Sequence, residues 1–84
     1  MTEKRIQENT EYRVVTTNSE FEGRRVVQYG IEVRMLRDGV TESVEILDIF
    51  CNIEPVYDLL DLMKRNSVTP LTVREVVDDY LANF

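Results

Sequence analysis

Carboxylates are the side chains of this sequence that come closest to forming a chemical site. Asp and Glu total 16, and two C-terminal segments hold six of them: Glu54, Asp58, Asp61, Glu75, Asp78 and Asp79. Their spacing does not match a calcium-binding loop, so solvated helix faces explain them better than a metal site. Asp78 and Asp79 fall near the C-terminal end of a predicted helix, where the dipole disfavours negative charge. We therefore interpret these two as candidate contacts for a basic partner.

Nucleophilic catalysis finds little support in the composition. The chain has no histidine, which removes the usual proton shuttle near neutral pH and every Ser-His or Cys-His nucleophile. The single cysteine, Cys51, closes an apolar segment without a basic neighbour, so we interpret it as a packed thiol. The three glycines are too far apart for a phosphate-binding loop. We expect no catalytic residue, no cofactor and no metal, and predict that the protein is not an enzyme.

Arginines form a second set of candidate interaction residues: Arg13, Arg24, Arg25 and Arg34. On an uncovered sheet face, Arg34 would stand beside Arg13 or Gln28, in a layout loosely like that of a nucleic-acid-binding sheet. The net charge of −6 repels a phosphate backbone, and Glu32 lies among the arginines. We therefore expect a protein partner, and keep weak nucleic-acid binding through these arginines as the alternative.

The stretch 25–36 is the element against which the rest of the chain is expected to pack. Its alternate positions are apolar: Val27, Tyr29, Ile31, Val33 and Met35. This period of two predicts a half-buried strand, and the β-branched stretch 11–17 predicts another before it, with a loop at 18–23. Residues 1–10 are polar and predict a flexible N-terminal tail, which leaves a single domain over residues 11–84.

Asp38-Gly39 predicts a tight two-residue hairpin between the central strand and a third strand, because both central positions of a type I′ turn need positive φ. The resulting register places Val33 opposite Val44 and Ile31 opposite Ile46. These four side chains then share one face, and that face needs a cover.

The same register sets Tyr29 against Asp48, which does not suit a core. We therefore predict a β-bulge near residues 46–47 that changes the phase of the third strand, which ends at Cys51. The bulge is expected to bring a second apolar set onto the covered face: Leu47, Ile49 and Cys51. A hairpin loop longer by one residue is the alternative. Gly30 inside the central strand indicates a bulge or a close approach by a backbone or a ring, with an aromatic ring favoured.

The residues after Cys51 show the periodicity of helices. Asn52 is a candidate cap for a first helix that ends near Arg65, and either Thr69 or Thr72 begins a second. The second has apolar positions at helical spacing: Val73, Val76, Val77, Tyr80, Leu81 and Phe84. Strands in sequence followed by helices in sequence predict an α+β fold, a three-stranded antiparallel meander with two C-terminal helices packed on one face (β-β-β-α-α).

Several short motifs resemble a family of small uncharacterised domains of Clostridia-type bacteria. The motifs are Tyr29-Gly30-Ile31, Leu47-Asp48-Ile49, Asn66 and the run from Val76 to Leu81. The similarity spans Tyr12 to Leu81 and implies a cytoplasmic bacterial protein without an assigned activity. Members more often carry a histidine before the last helix, where this chain has Leu71-Thr72, so no role of that group carries over.

The expected function is that of a non-enzymatic protein–protein interaction module or a homodimer joined through the sheet face or edge. The chain begins without the apolar run of a signal peptide and has no stretch of ~20 apolar residues. We therefore expect a cytoplasmic protein without membrane contact.

Overall fold

The computed structural model describes residues 4–7 and 9–83. Four antiparallel strands form one open sheet in the order β1-β2-β3-β4, and two helices follow. The elements are β1 Lys4–Gln7, β2 Thr10–Phe21, β3 Arg24–Arg37, β4 Val40–Phe50, α1 Glu54–Arg65 and α2 Val73–Ala82. The predicted α+β fold is confirmed, with β2, β3 and β4 as the three predicted strands of the meander.

Strand β1 is an addition to that prediction. It lies within the segment 1–10 that was expected to be a flexible tail, and pairs with the start of β2, Lys4 opposite Arg13 and Gln7 opposite Thr10. An edge strand satisfies its backbone through the neighbouring strand and does not need the apolar side chains that the segment lacks. The tail prediction therefore does not hold for residues 4–7, and its residues 1–3 and 8 lie outside the described residues.

Both hairpin turns of the long strands contain two residues. Asp38 and Gly39 have φ values of 52° and 77°, which confirms the predicted turn. Glu22 and Gly23 have the same values, so β2 continues to Phe21 where a loop at 18–23 was expected. A Glu-Gly turn gives a weaker sequence signal than Asp-Gly, because Glu seldom adopts positive φ.

The register of β3 and β4 confirms the predicted pairs, with Val33 opposite Val44 and Ile31 opposite Ile46. A bulge follows at the predicted place, but Tyr29 then pairs with Phe50. The bulge therefore adds two residues to β4, which preserves the alternation of faces.

The predicted change of phase in β4 is wrong for this reason. Phe50 is buried on the covered face and Leu47 is 48% exposed, although Ile49, half-buried, packs against the core as predicted. Cys51 lies beyond the strand and is exposed, so the interpretation of a packed thiol is also wrong.

Gly30 is required by the bulge. A Cβ atom at this position would overlap the carbonyl oxygen of Ile46 and stand 2.8 Å from the Cα atom of Leu47. The close neighbour is therefore the backbone of β4, one of the alternatives predicted for Gly30, and not an aromatic ring. Asp48 completes the bulge with a φ of 56°.

The helices pack on one face of the sheet and enclose the core with it. Its buried members are Tyr12, Val14, Ile31, Val33, Phe50, Val56, Leu59, Leu60, Met63, Val68, Val73 and Val77. Helix α1 has Pro55 in its first turn, and Ile53 occupies the N-cap position in place of the predicted Asn52. Helix α2 has Thr72 at its N-cap. The hydroxyl group of Thr72 accepts a hydrogen bond from the backbone N–H of Thr69 at 3.2 Å and does not cap the helix.

Within the part of the chain that the structure describes, the opposite side of the sheet carries no helix, and we refer to it as the open face. It is formed by the odd-numbered residues of β2 and the even-numbered residues of β3, since Tyr12 and Ile31 point into the core. Over the described residues, neither helix is long and apolar enough to span a bilayer.

Candidate interaction surfaces

Glu32 is a buried carboxylate on the open face. Its side chain is 6% exposed, although no helix covers this side of the sheet. Arg13, directly opposite on β2, places an Nη2 atom 2.6 Å from Glu32 Oε1, and Arg34 places another 3.4 Å from Glu32 Oε2. These three residues form what we call the Glu32 cluster. Two of the four predicted arginines are thus committed to a neighbouring carboxylate.

The Glu32 cluster balances charges across three strands. Glu32 also lies opposite Glu45 of β4, and like charges in opposed positions destabilise a sheet. The guanidinium groups of Arg13 and Arg34 offset that repulsion. The buried Nε of Arg13 donates no hydrogen bond to any described residue, so the cluster holds its charges close without satisfying every donor. We therefore interpret the Glu32 cluster as a structural ion-pair network of the open face rather than as a binding site.

The other two arginines lie on a projecting part of the sheet. Strand β4 pairs with β3 only as far as Tyr29, and β1 pairs with β2 only as far as Arg13 within the described residues. Residues 17–28 therefore form a two-stranded ribbon that extends beyond the four-stranded sheet. We call this segment the β2–β3 ribbon, and its length is about 17 Å, from five residues of extended strand.

The tip of the ribbon is apolar and basic on one face. Phe21 is 67% exposed and lies opposite Arg24. Val26 follows on the same face, while Arg25 lies on the other face, opposite Glu20. Arg24 and Arg25 are adjacent in sequence, but the pleat separates them.

A groove runs between the outer sides of α1 and α2. It consists of two clefts of about 870 Å³ and about 440 Å³ that share Leu62 and Tyr80, and we call it the interhelix groove. Leu62, Val76 and Tyr80, all half-buried, form its apolar floor. Its polar lining comprises Asp58, Asp61, Lys64, Arg65, Asn66, Asp79 and Asn83. Of the two predicted acidic contacts, Asp79 lines the groove and Asp78 is exposed outside it.

Tyr80 is fixed at the centre of this groove. Its ring meets that of Phe50 edge to face, with centroids 6.1 Å apart, and its hydroxyl lies 3.5 Å from the carbonyl oxygen of Pro55 as donor. Burial and, second, the nearby Asp58 carboxylate raise the pKa of Tyr80 above its ordinary value. The groove therefore has an apolar floor that these contacts hold in place, with the Asp58 carboxylate close to Tyr80.

Within residues 4–7 and 9–83, no group of three or more Cys, Asp and Glu side chains converges in a way that could hold a metal ion. The carboxylates of α1 and α2 instead lie along the rim of the groove or in solvent.

The six predicted interaction residues thus separate into three places: the Glu32 cluster, the ribbon tip and the helical surface. Sequence reasoning missed the interhelix groove. A signal for it was available, because Leu59 and Leu62 widen the apolar stripe of α1 beyond what one sheet face covers. It also missed the exposed position of Phe21 at the ribbon tip, since the residue was assigned to a loop.

Comparison with known proteins gives one match. A family described as "Family of unknown function (DUF6514)" matches residues 1–83. No curated protein and no solved structure matches the chain. The sequence resemblance to a family without an assigned activity is confirmed to that extent.

Proposed function

We propose, from the premise that this chain belongs to the family of unknown function DUF6514, that it is a non-enzymatic protein-interaction module that works as a homodimer. The family supplies no activity, so the proposal stands on the surfaces of the molecule alone. The single observation that carries it is the β2–β3 ribbon.

A two-stranded ribbon is marginally stable by itself in water, and three or more strands or a packed helix are needed to stabilise it. Residues 17–28 have no third strand beside them within the described structure. Both ribbon edges also present unpaired backbone groups, which favour pairing or docking with another chain. An assembly that covers the ribbon would remove both costs.

A second copy is the simplest partner that meets this need. Most soluble assemblies are homo-oligomers, and a two-fold dimer uses the same patch twice. The ribbon and the residues that would receive it are then present in every copy at equal concentration. The net charge of −6 opposes self-association only over distances shorter than the screening length, which is about 8 Å at physiological salt.

Nucleic-acid binding, the alternative from the sequence, is less well supported. Arg13 and Arg34 contact Glu32 at 2.6 Å and 3.4 Å, which lowers the positive potential available to a phosphate backbone. Arg24 and Arg25 point to opposite faces of the ribbon. A binding surface for phosphates would need these four groups together.

Light scattering coupled to size exclusion tests the proposal. We expect a mass of twice the 9.9 kDa chain, approached as the concentration rises. A mass that stays at one chain over the whole soluble range would overturn the homodimer. Retention on heparin at low salt, lost steeply as salt rises, would favour the nucleic-acid alternative instead.

A further inference from the structure

We infer that the tip of the β2–β3 ribbon of one copy docks into the interhelix groove of a second copy, with Phe21 on the apolar floor and Arg24 against the acidic rim. This inference rests on the proposed homodimer and names the surfaces that form it. The tip projects from the sheet, and the groove is a recess. Each has an apolar part, and Arg24 of the tip is opposite in charge to the carboxylates of the groove.

The groove is suited to receive an aromatic side chain. Its floor of Leu62, Val76 and Tyr80 is partly exposed, so an apolar group placed there would remove further apolar area from water. The edge-to-face contact of Tyr80 with Phe50 holds the floor in place before binding, which reduces the entropic cost of docking.

The rim favours a cation near Tyr80. Asp58 and Asp61 line the groove on the side of α1, and Asp79 lines it on the side of α2. The basic residues of the lining, Lys64 and Arg65, lie in the last turn of α1. A guanidinium group that enters beside Asp58 meets an exposed carboxylate and can form a charge-assisted hydrogen bond with it.

The ribbon tip presents the matching groups together. Phe21 and Arg24 are directly opposed across the ribbon and share a face. The two-residue turn at Glu22-Gly23 fixes their spacing. Aromatic side chains and arginine are both enriched at protein–protein interfaces relative to the rest of the surface.

The position of both surfaces on the molecule favours a reciprocal exchange. The ribbon begins beyond the Tyr29–Phe50 pair, and Phe50 is the residue against which Tyr80 packs. The base of the ribbon therefore lies near the Tyr80 part of the groove, which extends from there toward the C-terminal end of α1. The ribbon leads about 17 Å away from its own groove, so a two-fold axis near the base of the ribbon lets each tip reach the other groove in a closed dimer.

A charge-swap series tests the inference by the dissociation constant of the dimer. Arg24→Asp and Asp58→Arg each replace an exposed side chain, and each is expected to weaken the dimer about tenfold or more. The double variant restores an opposite-charge pair and is expected to return to within about threefold of the wild type.

Phe21→Ser provides the apolar arm of the test and should weaken the dimer at least as strongly. Val40→Ser is its matched control, because Val40 is 61% exposed and flanks the other two-residue turn. It should leave the dissociation constant unchanged. Circular dichroism of every variant checks that the fold is retained.

The two levels of the proposal fail differently. A wild-type chain that stays monomeric overturns the homodimer itself. A wild-type dimer whose dissociation constant is unchanged by Phe21→Ser and Arg24→Asp leaves the homodimer standing and overturns the docking of the tip into the groove. Failure of the double charge swap to recover affinity, after both single variants weaken it, overturns the pairing of Arg24 with Asp58.

Discussion

The hydroxyl group of Tyr12 donates a hydrogen bond to the backbone carbonyl of Val68 at 2.7 Å, although the two residues are 56 positions apart. Tyr12 is fully buried in β2, and Val68 lies in the connection between the helices. The bond therefore ties the helical layer to the sheet at the point where the chain turns from α1 to α2. It also satisfies a carbonyl that no helix could serve.

Tyr12→Phe is expected to lower the free energy of unfolding by about 1–3 kcal/mol, because it leaves the buried carbonyl of Val68 without its donor. Urea denaturation followed by circular dichroism measures the change. Tyr29→Phe is the matched control, since it removes a hydroxyl from a half-buried tyrosine on the same face, and it should cost less. Equal losses in the two variants would contradict a special role for the Tyr12 bond.

Stability is expected to fall in alkaline solution. Burial raises the pKa of the Tyr12 phenol above its ordinary value of 10.0, so the folded chain holds that proton more tightly than the unfolded chain. This contribution is complete below about pH 10 and is lost as pH rises through the folded-state pKa. Tyr80 acts in the same direction. Denaturation curves at about pH 8 and about pH 11 should show a smaller loss for Tyr12→Phe than for the wild type; parallel losses would argue against this.

Gly30→Ala should destabilise the fold by about 1–3 kcal/mol, the range for overpacking. The new methyl group would overlap the carbonyl oxygen of Ile46, and backbone cannot rotate away as a side chain can. Gln28→Ala, two residues away on the same face of β3, is the control and should have a smaller effect. A Gly30→Ala melting temperature equal to that of the wild type would mean that the bulge in β4 is easily displaced.

Glu32→Gln should cost about 1–3 kcal/mol, below the full cost of breaking a buried ion pair because Arg13 and Arg34 remain partly in water. The neutral amide removes the carboxylate that both guanidinium groups contact. Glu42→Gln serves as control, since Glu42 and Arg37 are exposed and 3.9 Å apart, and a change within about 0.5 kcal/mol is expected there. A thermal melt that ranks the two variants in the reverse order would count against the Glu32 cluster as a structural feature.

Much of the fold follows from patterns that a single sequence displays. The alternation from Val27 to Val33, the Asp38-Gly39 turn and the helical spacing of α2 each carry a local physical cause, and each is confirmed. Strand β1 and the length of the ribbon could not be predicted in this way. Both depend on backbone pairing with a neighbouring strand, which leaves little trace in side-chain polarity.

The register of β4 could be predicted from the sequence only in part, because of its bulge. The clash of Asp48 with a covered face predicted its place, but the number of inserted residues depends on how closely the backbone can approach Gly30. The candidate interaction surfaces were harder to predict than the register. Arg13, Arg24 and Arg34 look equivalent in the sequence, and only the cross-strand neighbours separate an arginine committed to Glu32 from one beside an exposed phenylalanine.

The strand order β1-β2-β3-β4 has a consequence for how the chain reaches its native state. Each strand pairs with the one made just before it, so the sheet can zip outward from its turns without first closing a large loop. Only the helices need distant residues, and they follow all four strands in the chain. We therefore expect the hairpins to nucleate early and the docking of the helical layer to complete folding in a single late step.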